Sequence, residues 1–422
     1  MNFEEENNQL GRNFMQRMYF DEYAKPYDER RRDATRIELQ SSYKCNLNCK
    51  YCYVVRHGDK LYPEVDDETI YENAERIMDW MIENGYVANY EIFSGEPLIK
   101  DVNFRILGMI LDKYENEERK PDCIQIPTNM TWIKNEDFKN RVVDLLDRSR
   151  EENIPIKLSM SIDGKYCTDN RPPITFTDEE YDELFTMAKK YEFGYHPMVY
   201  SEEIENWKKN WNWFQEQFRK HNLPMNNIYL LEVRNREWSK EQINKFAEFL
   251  EYIIDWTNER VDDFVDYMYS DGYNMLRSPF TTHGRGVGCS IQSTPQIRLA
   301  DLALTMCHRT SYDEFILGKF DEDMELNIFR PELLIGHTIF NQERQPMCEK
   351  CMINKLCTGQ CMGAMYEYTG DLFSPIPNVC RLEFKKIATL INKYKEIGVL
   401  DSIKLRSNDA TKVQIENMEK IL

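Results

Sequence analysis

The chain has 422 residues, 54 of them Lys or Arg against 73 Asp or Glu, for a formal charge of −19 at pH 7. That balance argues against a nucleic-acid partner, since phosphate binding needs clustered cations, and it would suit a basic peptide or protein. The opening Met1-Asn2-Phe3-Glu4-Glu5-Glu6 is acidic where a signal peptide needs a basic region. The apolar runs are too short and too often charged to span a bilayer. A cytoplasmic address and no membrane partner are therefore expected.

Residues 1–35 read as an N-terminal extension. From 36 to 257 short strand-like runs alternate with longer helix-like ones. Strands are predicted over Thr35–Gln40, Tyr90–Phe93, Ile124–Ile126, Lys157–Ile162, Tyr195–Tyr200 and Ile228–Val233, each rich in β-branched, aromatic or large apolar residues. Helices are predicted near 67–83, 102–116, 135–150, 178–191, 203–221 and 239–257, with apolar residues at helical spacing and Asp66, Asp101, Thr177 and Ser239 as N-caps. Six βα units in a row imply an α/β fold with a parallel sheet; pattern alone leaves open whether it closes into a partial barrel. Residues 258–284 read as a bridge, with a polar, aromatic helix near 259–276 and a glycine-containing loop. From 285 to 380 the periodicity breaks down and turn residues multiply, as in small domains where metal substitutes for a core. Residues 381–422 read as one or two helices.

Ten of the twelve cysteines fall at 45–52 and 289–380, with Cys123 and Cys167 apart. Grouped thiols in a reducing compartment point to metal or cluster ligation. Cys45-x3-Cys49-x2-Cys52 directly follows the first predicted strand. Three thiolates are an odd number for a closed tetrahedral zinc site, although a remote His could complete one. On a four-iron cluster they would leave one iron open for a substrate or cofactor.

With Tyr51 before the third cysteine, this Cys-x3-Cys-x-aromatic-Cys run resembles the signature of the radical S-adenosylmethionine (radical SAM) superfamily. The resemblance continues through most of the first 235 residues. It implies a partial (β/α)6 TIM-like barrel with a [4Fe–4S] cluster on Cys45, Cys49 and Cys52 that binds S-adenosylmethionine. Ser94-Gly95-Glu96-Pro97 resembles the family's GGEP element, with Ser for the first Gly; Glu96 would pair with the methionyl ammonium. Asn129, Ser161 and Asp163 resemble the ribose- and carboxylate-contacting positions, and Arg171 is a candidate partner of the methionyl carboxylate. His196-Pro197-Met198-Val199 and Leu231-Glu232-Val233-Arg234-Asn235 complete the strand ends, where ligands collect in parallel folds.

Downstream, Cys348, Cys351, Cys357, Cys361 and Cys380 follow Cys289 and Cys307, which flank a predicted hairpin around Ile297–Leu302. The seven resemble a SPASM domain carrying two auxiliary [4Fe–4S] clusters, for three in all. The resemblance implies that Cys348, Cys351, Cys357 and Cys380 ligate the outer cluster, and Cys289, Cys307 and Cys361 the inner one. His283, the substrate or an open site would stand at the fourth inner position. The domain's Gly before the second cysteine is Leu302 here, so that turn is expected to be altered.

The expected function is a radical SAM maturase that cleaves S-adenosylmethionine to a 5′-deoxyadenosyl radical, abstracts hydrogen from a peptide, and gives a thioether or carbon–carbon crosslink in a ribosomally made peptide. A flavodoxin or ferredoxin would be the reductant. Alternatives are a sulfatase-type formylglycine-generating maturase, an enzyme acting on a small molecule, an iron–sulfur electron carrier and a zinc-binding interaction module. Only about 35 residues precede the first strand, so leader recognition is expected to use the barrel, the tail or a separate partner, unless the substrate has no leader at all. The general acid or base is not identified; Tyr267, Tyr269, Asp271, Glu232 and Arg234 are polar residues that could face the cavity or be structural.

Overall fold

The computed structural model describes residues 36–93, 95–226, 228–270, 274–281, 294–330, 333, 346–357 and 359–422. The expectations for residues 1–35, Ser94, Asp271, His283 and Cys289 lie outside the described residues. The chain divides into two compact units. The first draws on Met1–Ser161, Phe176–Gly194 and Ser290–Thr338, the second on Ile162–Thr175, Tyr195–Cys289 and Ile339–Leu422.

In the first unit, β1 (Arg36–Gln40), β2 (Asn89–Phe93), β3 (Ile124–Thr128) and β4 (Ile156–Met160) pair in parallel in that order. The crossovers are the helices α1 (Tyr53–Leu61), α2 (Asp67–Glu83), α3 (Asp101–Tyr114) and α4 (Glu136–Glu151). Alternation along the strands gives the sheet two unlike faces. Ile37, Leu39, Tyr90, Ile92, Ile124 and Leu158 are buried on one face, the one the apolar helix stripes cover. Arg36, Glu38, Gln40, Glu91 and Gln125 occupy the other. Glu38 stands opposite Glu91 across β1 and β2, and Arg36 pairs with Glu91 at 3.1 Å.

The far edge of β1 is taken by the cysteine-rich segment. Gln296–Arg298 pairs with β1 in parallel, then turns back antiparallel into Ala303–Thr305. Ile316–Phe320 and Leu326–Ile328 extend the sheet further. The predicted hairpin is present, and buried Arg298 holds its turn by reaching Asp301 at 2.6 Å and Asp313 at 3.0 Å. Leu302 adopts φ 57°, so the turn keeps the left-handed geometry suited to Gly. That conformation costs a non-glycine residue roughly 1–2 kcal/mol, which burial of the Leu302 side chain, 4 % exposed, offsets.

In the second unit Met198–Val199 pairs in parallel with Leu231–Glu232, and Tyr195 bridges Ile228. The predicted strand over 195–200 is broken because Pro197 has no N–H for a ladder. No closed ladder of strands forms among the described residues. The predicted helix at 259–276 is two helices, α7 (Phe264–Ser270) and α8 (Asn274–Thr281), after α5 (Trp207–Lys220) and α6 (Lys240–Asn258). Asp263 delays its start by accepting from the Asp266 N–H. The tail is three helices, α9 (Pro377–Glu396), α10 (Leu400–Arg406) and α11 (Asp409–Glu419). Pro377, preset for a first turn, starts α9 early enough to place Cys380 inside it. Asp66, Thr177 and Ser239 cap helices as predicted, the latter two with full capping boxes. At 101 the cap position belongs to Lys100, and Asp101 is the first helical residue.

Candidate active site

The predicted residues of the first unit meet at the C-terminal ends of adjacent parallel strands. The loop after β1 carries Cys45, Cys49 and Cys52. The Cys52 N–H donates to the Cys49 carbonyl at 3.0 Å, which makes Cys49–Cys52 a turn, and Cys52 is the N-cap of α1. The Leu47 N–H donates to Cys45 Sγ at 3.4 Å. Tyr51 is buried beside Cys49 in sequence.

Gly95 locks the end of β2 onto this loop. Its N–H donates to the Ser42 carbonyl at 3.1 Å, and the Glu96 N–H to the Lys44 carbonyl at 3.0 Å. A Cβ at 95 would lie 2.3 Å from the Lys44 oxygen and 2.4 Å from that of Tyr43, so only Gly fits. Glu96, 1 % exposed, accepts from the Thr128 hydroxyl at 2.7 Å, the Leu98 N–H at 3.0 Å and the Asn129 N–H at 2.6 Å. Its carboxylate thus fixes the end of β3. Asn129 Nδ2 reaches Asn46 at 2.9 Å and lies 3.9 Å from Cys45 Sγ, and its Oδ1 accepts from Thr131. The Ser161 N–H donates to the Thr128 carbonyl at 2.8 Å. The ends of β2 and β3 therefore meet the cysteine loop, and the end of β4 is tied to that of β3.

Burial pushes the Cys45 thiol up to about 12, with Glu96, Cys49 and Cys52 adding and the Leu47 N–H opposing. Such a site favours neutral thiols until a cation arrives, so metal binding would expel protons. Among the described residues no three His, Cys, Asp or Glu side chains converge on a single metal ion.

In the second unit Asp163 and Arg171 are paired, Nε to Oδ2 at 2.9 Å and Nη2 to Oδ1 at 3.0 Å, at 0 % and 8 % side-chain exposure. Asp163 Oδ1 also accepts from the Met198 N–H at 2.9 Å. Asn210 donates to the Asp163 carbonyl and packs where a Cβ on Gly164 would fall. The structure thus gives Arg171 a partner within the protein.

The second cysteine group repeats the grammar of the first. The Cys351 N–H donates to the Cys348 carbonyl at 3.0 Å, the Gly359 N–H to Cys357 Sγ at 3.4 Å, and Gln360 Nε2 to Cys380 Sγ at 3.2 Å. Cys361 is the N-cap of a helix at Met362–Thr369, and Cys307, in the first unit, sits 3.4 Å from the Thr310 hydroxyl. Burial pushes Cys348 up to about 11, with Cys380 and Cys351 adding. No disulfide joins any two of the eleven described cysteines. Cys123 and Cys167 are buried in the core, where burial raises the Cys167 thiol.

Sequence reasoning missed the roles of Asn46 and Thr131, which supply much of the network, and gave Thr128 only within the Thr128-Asn129 strand end; the polar run around the first cysteines was the available signal. It also left Glu232 and Arg234 undecided. They form a buried charge network with Glu383 and Lys386, invisible in a sequence where Glu383 and Lys386 look like any helical surface pair.

No family model matches the chain. It is 22 % identical over 389 residues to the radical SAM cyclopropyl synthase TigE of Paramaledivibacter caminithermalis, covering 86 % of this chain and 75 % of that one. An uncharacterized protein of Methanocaldococcus jannaschii is 31 % identical over 133 residues, 31 % of this chain and 39 % of that one. In fold, the chain is similar to native anSMEcpe with bound AdoMet, with TM-score 0.60, 16 % identity, and 87 % and 99 % of the two chains covered. It is also similar to Streptococcus suis SuiB bound to precursor peptide SuiA, with TM-score 0.51, 13 % identity, and 80 % and 74 % covered. The chain is thus similar in sequence to a radical SAM cyclopropyl synthase and similar in fold to anSMEcpe and SuiB.

Proposed function

We infer that this chain, as a radical SAM maturase, oxidatively crosslinks a ribosomally made peptide. The observation that carries the reading is the convergence of the Cys45–Cys52 loop, Glu96 and Asn129 on neighbouring strand ends. When bound, a [4Fe–4S] cluster on Cys45, Cys49 and Cys52 would supply the electron that cleaves S-adenosylmethionine to the 5′-deoxyadenosyl radical, which takes hydrogen from the peptide. Gly95 admits the close backbone approach, Glu96, which holds β3, would meet the methionyl ammonium, and Asn129 and Ser161 would orient the nucleoside. Arg171, held by Asp163, would meet the methionyl carboxylate.

Cys348, Cys351, Cys357 and Cys380 would hold one auxiliary cluster, and Cys307, Cys361 and Cys289 a second. The cysteine-rich domain would run over 285–380, after a catalytic domain over 36–257. Between the two crosslinks, a carbon–carbon bond is favoured by the similarity to a cyclopropyl synthase. The acidic chain favours a basic peptide, and a cytoplasmic flavodoxin or ferredoxin would deliver electrons.

The test is anaerobic reconstitution with iron and sulfide, followed by dithionite and S-adenosylmethionine. About twelve irons per chain, and 5′-deoxyadenosine that disappears in Cys45→Ala, are expected. Zinc in place of iron, with S-adenosylmethionine intact, would favour an interaction module and end this reading.

A further inference from the structure

Four charged side chains in the second unit meet where nothing in the catalytic reading calls for them. Glu232 ends the short Leu231–Glu232 strand, Arg234 follows it, and Glu383 and Lys386 lie one turn apart on α9. Lys386 Nζ reaches Glu232 Oε1 at 2.8 Å and Glu383 Oε1 at 2.7 Å. Arg234 donates to Glu232 through Nε at 3.1 Å and to Glu383 through Nη2 at 2.8 Å. Glu232, Glu383 and Lys386 are at most 3 % exposed, and Arg234 keeps one edge open.

The network faces the cysteines. The Arg234 Nη1 donates to the Gly359 carbonyl at 2.8 Å, and the Gly359 N–H donates to Cys357 Sγ at 3.4 Å. One residue thus joins the guanidinium to the sulfur. Arg234, Lys386 and Glu383 all act electrostatically on Cys357, and Glu383 also acts on Cys380 three residues before it on α9. A purely structural ion network has no need of a hydrogen-bonded tether to a candidate cluster ligand. In a buried site charge is poorly screened, and hydrogen bonds and net charge near the ligating sulfurs are levers on cluster potential.

The geometry points to Arg234 as a positioning residue that sets the reduction potential of an iron–sulfur cluster bound through Cys357. Glu232 and Lys386 fix where its charge sits. The inference rests on the proposed function, because it requires a cluster at Cys357. One electron enters that cluster on reduction, and positive charge beside the ligating sulfur favours the reduced state.

The experiment uses reconstituted full-length chain with Cys45, Cys49 and Cys52 replaced by Ala, so that only auxiliary clusters remain. Iron content is measured first, and then midpoint potentials by redox titration followed by electron paramagnetic resonance. Arg234→Gln should move one potential to more negative values and Glu232→Gln should move the same potential to more positive ones, while Arg234→Lys stays near the parent. Clusters present with potentials unmoved, or moved in the same direction by both neutral variants, would overturn the assignment. A parent that binds no iron would overturn the underlying reading instead. If Arg234→Gln fails to fold, the sign of the Glu232→Gln shift and the position of Arg234→Lys still decide.

Discussion

Phe93 and His308 lie face to face, ring centroids 4.0 Å apart and planes 5° apart. His308 Nδ1 is 3.0 Å from Glu38 Oε2, its carbonyl accepts from the Tyr43 hydroxyl at 2.9 Å, and Tyr53 stacks at 5.8 Å. The residue after Cys307 is thereby fastened to the strand that leads into Gly95 and to both flanks of the first cysteine loop. A double-mutant cycle of Phe93→Leu and His308→Leu, read by urea unfolding, should give a coupling of about 0.5–1.5 kcal/mol. Additive effects would mean that the stack contributes nothing.

Gly95→Ala should be disruptive beyond its size. Two backbone carbonyls stand where the methyl would go, and backbone cannot rotate away as a side chain can. We expect a loss of about 1–3 kcal/mol and a sharp fall in iron retained at the first cysteine group. Parent-like iron content and stability would show that the loop gives way freely.

Breaking the Asp163–Arg171 pair strands a charge with almost no solvent exposure. Arg171→Met alone should destabilise the fold by about 3–5 kcal/mol, and the paired Asp163→Leu, Arg171→Met change by less. Equal losses from single and double variants would remove the stranded charge as the cause. S-adenosylmethionine binding to the double variant, measured by calorimetry on the reconstituted protein, should still be weakened if Arg171 also meets the cofactor.

Two buried groups give opposite pH slopes. His196 is lowered to about 4 by burial and then by Arg171, with Asp163 opposing, and its Nε2 is buried without a hydrogen-bond partner among the described residues. As pH falls from 6.5 to 4 the unfolded chain gains a proton that the folded chain refuses, so stability is lost through that window. The loss is on the order of 2–3 kcal/mol and should vanish in His196→Gln.

Glu91 runs the other way. Burial and the Glu38 carboxylate opposite push it up to about 7, against Arg36 and His308. Between 4.5 and 7 the folded chain keeps a proton that the unfolded chain has released, so this contribution is full at acid pH and lost as pH rises to 7. Glu91→Gln should therefore be more stable than the parent at pH 8 by about 1–2 kcal/mol and nearly equal at pH 4.5. The reverse order in thermal melts would refute the direction.

What was legible in the sequence follows how locally each feature is determined. The helices at 67–83 and 178–191 match their predicted bounds, because caps and apolar period lie within the segment. The strand at 195–200 is split into Gly194–Tyr195 and Met198–Val199, because Pro197 removes a ladder donor. Helix α9 begins at Pro377 rather than near 381, because proline is preset for a first helical turn. At the site, the cysteine spacings and Glu96 stood out as motifs, whereas the Arg171 partner and the Arg234 network join residues from distant segments through tertiary packing.

The place of β1 in the sheet also sets an order of assembly. Its neighbours are β2 on one side and Gln296–Arg298 on the other. A ribosome that has released only the repeating βα segment has made a strand with one row of backbone groups still bare, a ready template for pairing with another chain. That row is covered only when the distant hairpin emerges, and such non-local pairing is slow. The nascent chain thus passes through a sticky stage that ends with the hairpin, and a fragment cut before residue 296 would be expected to remain in it.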